Sequence, residues 1–177
     1  AEYLGRNHPF VAGLARFLME EALTRAGAAT ASRCGVIRTR AVDRITTIGL
    51  LRVRYLLHQP EKIPLLSEEV HVVAFRAGTC DANAECLDDG EALRLLSDAK
   101  ADANIPMEEK RALVESALSS WPGLGAALNE RVRARAAALE TSHKRVRQAV
   151  SLRVRELRVE PQVPADLLGL MLLQPMV

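Results

Sequence analysis

Ten positions of this chain, Leu124, Leu128, Val132, Ala136, Leu139, His143, Val146, Val150, Val154 and Leu157, lie three or four residues apart without a gap. No other feature restricts the fold as strongly, because side chains at that spacing share one face of an α-helix and an apolar face must be covered. The mean step is about 3.67 residues, near the period of a straight helix, so the seam runs along one side instead of winding into a left-handed coil. A helix over 124–157 would be about 50 Å long. It either projects as a rod or folds back near Thr141 and Ser142, and Pro161 and Pro164 end it.

The remaining elements are shorter. Asn7, His8 and Pro9 form a helix start, Val11, Leu14, Leu18 and Ala22 recur at helical spacing, and Gly27 is a stop, which predicts a helix over 8–26. From Arg33 the period changes to two. Val36 to Arg40 and Leu50 to Tyr55 alternate apolar residues with arginine, as in half-buried strands, with Leu51, Val53, Tyr55 and Leu57 facing inward. The prolines of 59–64 break the run and Glu69 to Phe75 restart it, giving a three-strand meander. After a polar, acidic loop over 77–90, Leu93, Leu96, Ala99 and Ala103 predict one helix. Pro106, Glu108 and Glu109 open another, which Trp121, Pro122 and Gly123 stop. Leu167 to Leu173, between prolines, reads as a buried strand returning to the sheet. The expected architecture is a single α+β domain over 1–177. An N-terminal helix and a small antiparallel sheet of about four strands (1–76 with 161–177) carry a helical arm over 90–160.

Composition narrows the function. The 177 residues are 49% apolar, 26% charged and 3% aromatic, which suits one globular core. No apolar run approaches the ~18 residues of a membrane-spanning helix and no secretory layout opens the chain. The expectation is a cytoplasmic protein without membrane contact. Cys34, Cys80 and Cys86 form no paired framework. Phosphate-loop, dinucleotide and hydrolase motifs are missing. Asp81, Asn83 and Glu85 begin a calcium-like alternation, but Cys86 stands where glycine is needed and Ala92 where glutamate is. His71, Cys80 and Cys86 match no zinc spacing. His143 sits on the helical seam and His8 in a helix start, so the expectation is no metal, no cofactor and no catalytic residue in this chain.

What remains is basic surface. Charge runs +5 over 1–60, −7 over 61–116 and +4 over 117–177, and 20 of the 24 basic residues are Arg. Arg38, Arg40, Arg52 and Arg54 would line one sheet face at two-residue spacing, where they either hold phosphates or pair with Glu68, Glu69 and neighbouring acids. Arg145, Arg147, Arg153 and Arg155 are the nominated nucleic-acid contacts of the long helix. Its basic residues spread around the circumference, which a solvated surface explains nearly as well.

Four stretches carry a resemblance: Leu4 to Val11 with its Asn-His-Pro, Thr46 to Leu57, Ser67 to Phe75 and Val163 to Leu170. Together, in this order, they resemble the C-terminal region of bacterial Swi/Snf-type ATP-dependent helicases, a family that includes the polymerase-associated ATPase RapA and helicases of phage defence. The resemblance implies a non-catalytic accessory domain, without an initiator Met because it is part of a longer, nucleoid-associated protein. ATP and Mg belong to the parent's motor lobes, whose motifs lie upstream. The implied partners are those motor lobes in cis, duplex DNA, and RNA polymerase or another protein. The domain would help to position DNA or a partner on the motor, or would dock as a protein-interaction module through its long helix.

Overall fold

In a computed structural model the described residues are 33–76, 84–150 and 155–176, with Phe10, Gly13 and Leu14, which are helical and exposed. Most of the helix expected over 8–26 lies outside the described residues. The elements run β1 (Cys34–Thr39), β2 (Thr46–His58), β3 (Leu65–Arg76), β4 (Glu85–Cys86), α1 (Asp89–Asp98), α2 (Met107–Ser120), a 3₁₀ turn (Trp121–Leu124), α3 (Gly125–Val150) and β5 (Arg158–Pro175).

The α+β class stands, but the sheet differs from the expected small antiparallel one. It has five strands in the order β1-β5-β2-β3-β4, and β5 enters between the first two strands, parallel to β1 and antiparallel to β2. The apolar run Leu167 to Leu173 explains that place, since a strand with neighbours on both edges and helices over both faces must be apolar throughout. Pro161 and Pro164 lie inside β5, not before it. That is tolerated because β1 pairs only with Leu170 to Pro175, so the earlier half of β5 has β2 alone as a neighbour among the described strands.

Odd-numbered β2 residues face one layer and even-numbered ones the other. On the odd face, Leu51, Val53 and Tyr55 join Val73 and Phe75 under Leu124, Leu128, Val132 and Ala136 of the helical layer. Val36, Leu170 and Leu172 extend this face beneath Val114 and Ala117 of α2. On the even face, Ile48, Ala74 and Leu173 pack against Ala92 and Leu95 of α1. Trp121 ties the odd face together, perpendicular to Phe75 with ring centroids 6.1 Å apart and with the edge of its ring against Gly49, where any Cβ would overlap it.

The helices therefore cover both faces of the sheet, α1 on one and α2 with α3 on the other. Trp121 to Gly123 do not end it but tighten one turn between α2 and α3. α3 passes straight through Thr141 and Ser142 to Val150, and Arg155 to Leu157 are not helical, so the helix does not reach the expected 157. The seam stays buried only as far as the sheet reaches: Leu128, Val132 and Ala136 are buried, whereas Val146 and Val150 are 52% and 64% exposed. α1 stops at Asp98, short of Ala103, because Asp102 donates its N–H to the Arg38 carbonyl at 2.8 Å and Ala103 bridges β1.

Candidate functional site

The nominated arginines do not form one row. β5 separates β1 from β2, and Arg38 lies opposite Gln174 at one end of the sheet while Arg52 lies opposite Asp166 well along it. A row across neighbouring strands presupposes that sequence neighbours pair, and the inserted C-terminal strand breaks that assumption.

Each of these guanidinium groups that faces a carboxylate is held by it. Arg38 donates from Nη2 to Glu109 Oε1 at 2.9 Å and from Nε to Gln174 Oε1 at 3.1 Å. On the even face of β2, beyond the cover of α1, Arg52 reaches Asp166 Oδ2 from Nε at 3.1 Å and Nη2 at 2.8 Å, and Arg54 donates to the same oxygen. Glu68, cross-strand from Arg54, is 3.9 Å from its Nε. Burial alone would raise the Asp166 carboxyl, but the hydrogen bonds and charges of Arg52 and Arg54 outweigh it and hold the group below its ordinary value. Two cations and two anions make this a closed cluster. The pairing expected with Glu68 is present, while Glu69 is spent on the opposite face.

Along α3 and after it, Arg147 pairs with Glu156 at 2.9 Å, and Arg155 donates to the Pro60 carbonyl at 2.7 Å and to Glu61 at 3.3 Å. Arg40 contributes its backbone N–H to Asp102 at 2.8 Å and is exposed, as is Arg145. Arg153 lies outside the described residues. A cavity of about 640 Å³ opens between the distal half of α3 and the β2–β3 turn, lined by His58, His143, Lys144, Arg147, Glu140 and Arg158 among others. Most of its polar groups are already engaged: His58 meets Glu160 at 3.0 Å, His143 the Arg155 carbonyl at 2.9 Å, and Glu140 accepts from the Val159 N–H at 2.6 Å.

The sequence reading missed one polar cluster. Glu69 and His71 share the odd face of β3, and Arg135 reaches down from α3 with Nε and Nη2 on the two Glu69 oxygens at 3.0 and 2.9 Å, while His71 Nε2 lies 2.8 Å from Oε2. A groove of about 270 Å³ runs beside them between α3 and the sheet. The alternation of Glu69 and His71 marks a shared face in the sequence, but nothing local connects Glu69 to Arg135, 66 positions away on another element. Tyr55, fully buried below, has no hydrogen-bond partner for its hydroxyl among the described residues.

The shifts of Glu69, Arg135 and Tyr55 all run away from neutrality. The Arg135 hydrogen bond, with His71 and the arginine charge, keeps the Glu69 carboxyl below its usual value despite partial burial. The same hydrogen bond raises Arg135. Burial, with Glu69 adding to it, pushes the Tyr55 phenol up to about 12. Neither Glu69 nor Tyr55 is thus tuned as a general base for neutral pH. The contact instead clasps α3 to the sheet. Among the described residues no group of three His, Cys, Asp or Glu is placed to hold a metal ion, and no helix is long and apolar enough to cross a membrane.

Fold and site thus define an α+β domain with a five-stranded mixed sheet whose charged side chains are largely turned upon one another. The chain belongs to the family described as Domain of unknown function (DUF8741), whose model matches residues 20–177. Comparison with curated proteins and with solved structures finds no match.

Proposed function

We propose that this chain is a non-catalytic accessory domain of a Swi/Snf-type ATP-dependent DNA translocase, and that it serves the motor by protein contact while its arginines hold the fold. The observation that carries this reading is the α3 seam, which continues apolar through the exposed Val146 and Val150 after the sheet has ceased to cover it. An apolar stripe on the last turns of a helix is suited to a protein groove. The ion pairs of Arg38, Arg52, Arg54, Arg147 and Arg155 support the second half of the proposal, since a carboxylate beside each guanidinium offsets the positive charge that a phosphate would meet. The resemblance to the helicase C-terminal region supports the first half, because three of its four stretches form the neighbouring strands β5, β2 and β3. On this reading ATP and Mg act only at the motor lobes, the location is the cytoplasm at the nucleoid, and RNA polymerase or another protein is a further partner of the whole.

Direct contact with duplex DNA is the second reading, favoured by Lys144 and Arg145, exposed side by side on α3. The two separate in one experiment, in which this chain is added in trans to the motor lobes and the ATPase rate is followed without DNA. Docking through α3 predicts a changed rate that Val146→Asp with Val150→Asp abolishes and Arg145→Ala does not. An unaltered rate, or loss with Arg145→Ala alone, rejects the docking account.

A further inference from the structure

Independently of that reading, we propose that the free edge of β3 from Leu66 to Val72 takes up a short extended segment of another protein as a sixth strand, and that one apolar side chain of this segment enters the groove between α3 and the sheet. β2 covers one edge of β3 from Leu65 to Arg76, whereas β4 covers the other only at Phe75 and Arg76. Among the described residues no strand lies beside Leu66 to Val72 on that side. This stretch contains neither proline nor lysine, the residues that commonly blunt such an edge.

The direction of the backbone groups follows from one hydrogen bond. The Ala74 carbonyl accepts the Leu87 N–H at 2.9 Å on the outer side. The register with β2 runs from Leu57↔Leu65 to Thr46↔Arg76 without a shift. In an antiparallel ladder the N–H and C=O of one residue point the same way and alternate along the strand, so Val72, Val70, Glu68 and Leu66 present theirs outward as Ala74 does. A helix has closed its own backbone bonds, so an extended chain is what satisfies such a row. The row also has a stop, because the Ala74 carbonyl is committed to Leu87 and Phe75 lies against Cys86. The β3 of a second copy, paired about Val70, would lay its Leu65 and Leu66 where Cys86 and Leu87 already sit. The occupant is therefore a segment whose extended part is no longer than the stretch itself.

The groove supplies the side-chain preference. Side chains of an added strand alternate between the two faces of the sheet, and the one beside His71 falls on the α3 face. There Arg135 reaches across to Glu69, and Arg131 to Asp89 and the Leu87 carbonyl, as two straps with His71 between them. Under the helix runs the groove of about 270 Å³, floored by Leu51, Val53 and Val73 and walled by Leu128, Ala134 and Ala138. Each strap already spends its guanidinium on a carboxylate, so what the groove offers an incoming side chain is apolar surface. Residues of the added strand beside Val70 and Val72 fall on the opposite face, where Leu66 and Val70 are 58% and 63% exposed. A segment with three consecutive apolar residues, the middle one beside His71, suits both faces.

Panning the 177-residue chain against a phage-displayed library of random peptides about seven residues long, then titrating the selected peptides by fluorescence anisotropy, tests this. The expected result is a set of peptides that share three consecutive apolar residues. Val70→Pro removes one outward N–H and no bond to β2, and should weaken their binding at least about tenfold. Ala138→Leu, on an exposed turn of α3 that lines the groove, should weaken peptides with a bulky central residue by a similar factor. Circular dichroism reports that each variant is folded. N-methylation of the peptides needs no variant: methyl groups on alternate residues should abolish binding in one parity and leave it in the other, because only alternate N–H groups of an added strand face β3. A library that yields no shared motif, or peptides indifferent to Val70→Pro and to the parity of methylation, overturns strand addition. Binding that Ala138→Leu leaves unchanged overturns the seating of a side chain in the groove. A chain that sediments as a dimer and takes no peptide gives the edge to a second copy and overturns the proposal as well.

Discussion

Removal of the Asp166 carboxylate isolates the idea that these arginines serve the fold. In Asp166→Ala, Arg52 loses two hydrogen bonds and Arg54 one, all to a single oxygen. Fully buried charge-assisted bonds are worth about 1.5–3 kcal/mol each, and exposed ion pairs about 0–1. With side chains 22% exposed at Arg52 and 39% at Arg54 and Asp166, solvent screening places the whole cluster near the lower figure, at about 1–2 kcal/mol. For a domain of this size that corresponds to a fall of about 3–6 °C in Tm. The pH dependence has a definite sign. The folded carboxyl lies below its ordinary 3.8, so its stabilisation is complete above the unfolded value and disappears as pH falls through the folded one. Thermal unfolding of both proteins across pH should show the full difference at pH 7 and a closing gap below 3.8. A gap at neutral pH that persists unchanged in acid refutes the ionic origin, and no gap at pH 7 refutes the contribution itself. Arg52, freed of its carboxylate, and Arg54, left with Glu68 alone, should also give the variant salt-sensitive affinity for duplex DNA.

Gly49→Ala forces a Cβ into the Trp121 ring and should cost about 1–3 kcal/mol, read by chemical denaturation, with Trp121→Leu in the same chain recovering part of it. Tyr55→Phe deletes a buried hydroxyl that has no hydrogen-bond partner among the described residues, so urea unfolding should show an unchanged or higher midpoint; a loss above about 1 kcal/mol would mean that the hydroxyl makes a stabilising bond. In a spectrophotometric titration one of the two tyrosines should ionise only near 12. Leu128→Ala should cost about 2–4 kcal/mol and Val146→Ala less than about 0.5, because the sheet covers the first position and not the second.

Periodicity carried most of the fold. Leu51, Val53 and Tyr55 face inward between Arg52 and Arg54 as their alternation requires, and Leu128, Val132 and Ala136 are the buried part of the helical seam. What periodicity lacks is range. The seam pattern gives no reason for the helix to stop before Arg155, and prolines that signal an end in isolation are accommodated in the half of β5 that has β2 alone as a neighbour among the described strands. The insertion of β5 between β1 and β2 depends on sheet closure over more than 100 residues, and it undid the expected arginine row. For the same reason Asp166, the carboxylate on which Arg52 and Arg54 converge, and the Glu69–Arg135 clasp were out of reach of local spacing, although the acid–arginine pairing across β2 and β3 was foreseeable from Glu68.

The most direct test of the central claim is fluorescence anisotropy of a short labelled DNA duplex titrated with this chain at low and at moderate salt. If the arginines are committed to Glu109, Asp166, Glu156 and Glu61, the anisotropy stays flat at both salt concentrations. Micromolar binding at low salt that weakens steeply as salt is raised would contradict the account and assign the domain to DNA handling.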